Sequence, residues 1–103
     1  MEQATYFRAV WDDPGLLQPC ERVTLAGLAE LQIEAEQWVN RPEVDAHLQA
    51  YLDQDQIERA WQLLQGRDMV DEDGRQRRFT VELVRRWVRK FKPLAEVAAR
   101  EKG

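Results

Sequence analysis

Two helix-start signals stand close together in the middle of this chain, and a hairpin signal follows directly behind them. The first is Asn40-Arg41-Pro42-Glu43. Asn is a good N-cap, Pro is tolerated in a first turn where its N–H would lack a partner, and Glu43 can close a capping box. The pattern predicts a helix to about Tyr51 or Leu52, with Val44, Leu48 and Tyr51 or Leu52 turned inward. The second signal is Asp53-Gln54-Asp55-Gln56, a capping residue three before a Gln, with two acids at the positive helix end. Ile57, Ala60, Trp61 and Leu64 then recur at helical spacing, and Gly66 stands where a left-handed C-cap is expected. Two helices joined this tightly have the local grammar of a helix-turn-helix.

After Gly66 the period changes. Residues 68–71 and 76–80 flank Glu72-Asp73-Gly74-Arg75, and Asp-Gly is among the strongest short hairpin signals. Val81, Val84, Trp87 (or Val88) and Phe91 then form a helical stripe, with Pro93 ending or bending the helix. Upstream, a helix is expected from about Glu21 to Leu31 or slightly beyond, with Leu25, Leu28, Ala29 and Ile33 facing the core. Ala35 to Val39 reads as a brief strand or an extended connector, and Tyr6 to Trp11 as a short element stopped by Asp12-Asp13-Pro14-Gly15. The order helix, helix, helix, hairpin, helix is that of a winged helix-turn-helix with an additional C-terminal helix. The fold class is mainly α with a small β-hairpin, α+β. Residues 1–15 are then an N-terminal extension or short helix, 16–94 the winged-helix domain and 95–103 a C-terminal tail.

A chain of 103 residues has room for one modest core, and 44% apolar residues with four tryptophans argue for a folded globule. No apolar run approaches the roughly 18 residues of a membrane span, and the N-terminus lacks a signal-peptide pattern. The single cysteine, Cys20, offers no internal disulfide and reads as a small buried residue, which makes the cytoplasm the expected setting. The net charge of -4 conceals a strong asymmetry. Residues 1–73 hold 16 acids and 5 bases, net -11, whereas residues 74–103 hold 3 acids and 10 bases, net +7. An acidic body with a basic C-terminal face follows.

The segments Ala60-Trp61-Gln62-Leu63-Leu64 and Phe79-Thr80-Val81-Glu82-Leu83-Val84-Arg85-Arg86-Trp87 carry a family likeness. They resemble the winged-helix module that follows the ATPase core of bacterial AAA-type and STAND-type signalling NTPases. There a helix leads to a short hairpin around Asp-Gly, and an aromatic-x-Val-x-Leu-x-Arg-Arg-Trp phrase opens the last helix. Pro19 to Ala29 is similar to the first helix of those modules, and Trp38-Val39-Asn40-Arg41-Pro42-Glu43 to the entry of their second. The resemblance spans about residues 16–94. It implies an accessory domain that positions an ATPase or passes on a signal, with Phe79, Val81 and Trp87 in the core. No Walker phrase Gly-x4-Gly-Lys-Ser/Thr occurs in this chain.

Catalysis is not expected, because no nucleophile elbow or Gly-rich phosphate loop is present and no carboxylate pair is placed around a pocket. No metal or cofactor is expected either. His47 is the only histidine, and the Asp71-Glu72-Asp73-Gly74 run fails as a calcium loop, with Arg75 at the fifth position and Gly74 too early. The second helix of the turn unit exposes Asp53, Gln54, Asp55, Glu58, Gln62 and Gln65, with only Arg59 in balance. Carboxylates repel a phosphate-lined groove, so DNA is disfavoured there. The basic candidates for a contact surface are Arg75, Arg77, Arg78, Arg85, Arg86, Arg89 and Lys90, followed by Lys92. They fit a protein partner, a neighbouring domain or self-association. The alternative is a DNA-binding regulator that contacts phosphates through this wing and last helix.

Overall fold

The computed structural model describes residues 2–13 and 15–102, and the side chains from Phe7 to Asp13 and from Gly15 to Glu101. Six helices and three short strands follow in order: α1 (Glu2–Asp12), α2 (Pro19–Leu31), β1 (Val39–Asn40), α3 (Arg41–Leu48), α4 (Gln54–Gly66), β2 (Val70–Asp73), β3 (Gln76–Phe79), α5 (Glu82–Phe91) and α6 (Leu94–Lys102). The protein is mainly helical, with a small antiparallel sheet in the order β1-β3-β2. No described helix is long and apolar enough to cross a membrane.

Helix α2 is the centre. Leu25, Ala26, Leu28 and Ala29 are fully buried, because α3, α4, α5 and α6 all pack on it. Gly27 lets α3 come close. A Cβ there would lie 2.8 Å from Leu48 Cδ2, closer than carbon atoms approach. The buried Glu21 carboxylate near the start of α2 takes the Gln18 N–H and both Nε and Nη2 of Arg67, at 2.7 and 3.1 Å for the latter pair. The paired geometry explains how a carboxylate at 0% exposure is tolerated. At the other end, buried Gln32 accepts the Phe79 N–H at 2.8 Å and so ties α2 to β3.

Helix α4 begins as its capping signal predicts. Asp53 accepts the Gln56 N–H at 2.8 Å, and the Gln56 side chain accepts the Asp53 N–H at 2.9 Å. Asn40 behaves differently. Its side chain makes no capping bond: Pro42, at the second helical position, has no N–H to offer it, and Asn40 sits in β1 opposite Gln76, with the Arg41 N–H donating to the Arg75 carbonyl at 2.7 Å. α3 stops at Leu48, short of the expected Tyr51 or Leu52, and Tyr51 lies in the turn with its ring partly exposed. Gly66 is the last helical residue of α4, and the left-handed residue is Asp68 (φ 56°). The hairpin tip is Gly74-Arg75, since Asp73 already pairs with Gln76. Gly74, at φ 61°, takes the first central position, where a two-residue hairpin of the II′ kind needs a positive φ.

Three further expectations are corrected. Ile33 lies beyond the end of α2 and is 62% exposed. Val81 precedes α5 as its N-cap residue and Phe91 ends it, so both stay about half exposed while Trp87 and Val88 are buried. Residues 95–103, expected as a tail, belong to α6 through Lys102, where Leu94, Val97 and Ala98 bury against the body. The N-terminal segment, read as an extension or short helix, is the short helix α1, whose Phe7 and Trp11 rings meet Trp87 edge-on at 6.3 and 5.8 Å.

Candidate interaction surface

The seven basic residues singled out from the sequence have different fates. Arg85 is 6% exposed. Its Nε and Nη2 each donate to the Glu82 carboxylate at 2.6 Å, and Nη1 donates to the carbonyls of Gln32 and Ile33 at 2.9 and 3.0 Å. Arg89 Nη1 donates to the carbonyls of Ala29 and Glu30 at 2.8 and 3.3 Å. Both side chains therefore cap carbonyls at the C-terminal end of α2, where the helix dipole favours a cation. That is the physical reason Arg85 leaves the contact surface, whereas Arg89 stays exposed while it donates.

Two wing arginines are also turned to internal work. Arg77 is buried, its Nη1 donates to the Gly74 and Gln76 carbonyls at 2.8 and 2.9 Å, and its guanidinium lies 5.6 Å from the Trp61 ring centroid. Arg78 lies over Trp38 at 4.1 Å, pairs with Asp71 at 3.2 Å and donates to the Glu36 carbonyl at 3.1 Å. Asp71 and Glu72 in turn face Arg78 and Arg77, so part of the hairpin acids neutralises the wing.

Arg75, Arg86, Arg89 and Lys90 remain exposed. Arg75 stands exposed at the hairpin tip. The Arg86 side chain is 69% exposed while its Nε reaches Glu82 at 2.9 Å. Lys90 is exposed, and its ammonium lies 5.3 Å from the Phe91 ring centroid. Leu83, at 43% exposure, shares their side of α5 through its i+3 and i+7 spacing to Arg86 and Lys90. The charged side chains mask Leu83 in the sequence, although the helical period already places it opposite buried Val88.

The charged cluster at the start of α5 has one marked electrostatic feature. Hydrogen bonding from Arg85 holds the Glu82 carboxyl at about 2, aided by Arg86 and opposed by partial burial. The Arg85 guanidinium is pushed up by the same partner. An adjoining apolar groove of about 300 Å³ is lined by Phe7, Val10, Met69, Val81, Val84 and Trp87, among others. Among the described residues no group of three or more His, Cys, Asp or Glu side chains is arranged to hold a metal. His47 is exposed on α3 and Cys20 is buried with its thiol pushed up by burial.

No family model, no curated protein and no solved structure matches this chain.

Proposed function

We propose that the chain is a non-catalytic winged-helix interaction module that docks on a protein surface through the exposed side of α5. The pairing of β1 with the hairpin strand β3, with α3 and α4 between them in sequence, supports the winged-helix reading. One observation carries the functional half. Arg77, Arg78 and Arg85 are turned to their own chain, which leaves Arg75, Arg86, Arg89 and Lys90 exposed, with Arg86 paired to Glu82 and Arg89 donating to carbonyls of α2. Affinity for duplex DNA grows with the number of phosphates neutralised, and this set is small. The helix a DNA-binding winged helix would place in the major groove, α4, exposes Asp53 and Asp55 instead. In the accessory role suggested by the resemblance to AAA-type and STAND-type modules, the α5 face docks on a neighbouring domain.

The test is titration of a fluorescent duplex by anisotropy at low and at physiological salt. The expected result is binding that is absent, or weak and abolished by physiological salt. Submicromolar binding that survives physiological salt, and is lost in Arg75→Glu with Arg86→Glu and Lys90→Glu, overturns the proposal in favour of a DNA-binding regulator.

A further inference from the structure

We infer that the acidic first turn of α4 in one copy docks on the basic side of α5 in a second copy, so that the chain self-associates head to tail. The inference rests on the interaction-module reading and names a partner for its surface.

Its first support is charge complementarity between surfaces that do not meet inside one molecule. α4 and α5 both pack on α2 but make little contact with each other, and no ion pair among the described residues joins them. The acidic side holds Asp53, whose carboxylate caps α4 without a cationic partner, and exposed Asp55, with no ionic partner among the described residues. The basic side holds Arg86 and Lys90, and Lys90 faces no carboxylate among the described residues.

A second correspondence is apolar. Tyr51, 37% exposed, sits in the turn just before the acidic residues, and Leu83, 43% exposed, sits beside the basic ones. Each surface thus offers two like charges and one half-exposed apolar side chain. A second copy supplies the complement of either surface at equal concentration. Because the two surfaces differ, the contact is heterologous and extends into open chains unless its rotation closes a ring. Exposed ion pairs are individually weak, so dissociation constants on the order of 0.1–1 mM are expected at low salt.

Sedimentation of the full chain at about 20 mM and about 300 mM salt measures this directly. Weight-average mass should rise with protein concentration at low salt, with association weakened about tenfold or more at high salt. Asp55→Lys cancels the charge of the acidic surface, and Arg86→Glu with Lys90→Glu makes both surfaces acidic. Each variant alone should stay monomeric while keeping the wild-type circular dichroism spectrum. An equimolar mixture should associate again, because one wild-type pairing is restored between unlike copies. A wild type that stays monomeric at low salt overturns the inference, as does association of either variant alone or a mixture of folded variants that fails to recover. None of these results depends on the DNA titration, so self-association can fail while the interaction-module reading stands.

Discussion

Glu82 holds two guanidinium groups, and only one of them is buried. Arg85 joins that carboxylate to the Gln32 and Ile33 carbonyls, whereas Arg86 leans on it from solvent. Arg85→Ala leaves the Gln32 and Ile33 carbonyls without their donor while Glu82 keeps Arg86, and should cost about 1–3 kcal/mol. Arg86→Ala, at an exposed pair, should cost less than about 0.5 kcal/mol. Urea unfolding of the two variants checks the contrast. The same carboxylate carries a pH dependence. Its folded value lies at about 2, below the ordinary 4.5, so between those limits the unfolded chain binds more protons at this group. The contribution is therefore complete above about pH 4.5 and is lost as pH falls towards 2. Glu82→Gln should lower the unfolding midpoint relative to wild type at pH 6, with the gap closing as the buffer approaches pH 3. A gap that stays constant across that range counts against the Arg85 interaction.

Elements whose determinants are local were legible, and elements decided by distant partners were not. Asp53 and Gln56 cap α4 within one turn of chain, so their spacing alone predicts the helix start. Asn40 matched the same rule and failed it, because it is held in β1 against Gln76 of the hairpin and the second helical residue, Pro42, has no N–H to cap. α5 ends just before Pro93, as expected, but the Pro93 carbonyl then accepts the Val97 N–H at 3.0 Å and opens α6. Only three buried residues, Leu94, Val97 and Ala98, hold that helix down, too short a stripe to stand out among Glu96, Arg100 and Glu101. Its worth is testable. Truncation after Lys92 exposes the α2 face beneath and removes the Arg22–Glu101 pair, and should cost about 3–5 kcal/mol. For a domain of this size that corresponds to a fall of roughly 15 °C or more in the thermal midpoint, read by circular dichroism. A loss of only a few degrees would mean that α6 rests on the body without stabilising it.

Across the whole molecule the charge imbalance was countable from the sequence, but the destination of each charge was not. Arg85 and Arg89 are drawn from the basic stretch to carbonyls more than fifty residues away, and no periodicity announces such a pairing. What does follow from composition is the imbalance itself, net -11 over residues 1–73 against net +7 over residues 74–103. The arrangement of helices around α2 has a separate consequence for motion. α1 or α6 can peel away locally, but full exposure of the α2 backbone requires α3, α4, α5 and α6 to leave together. The amides of Leu25 to Ala29 should therefore exchange with deuterium only through global opening, at rates that track denaturant as full unfolding does. Amides in α1 should exchange far sooner and with little denaturant dependence. By hydrogen exchange, then, α2 would be the last part of the protein to meet solvent, and its protection a direct gauge of the stability of the whole.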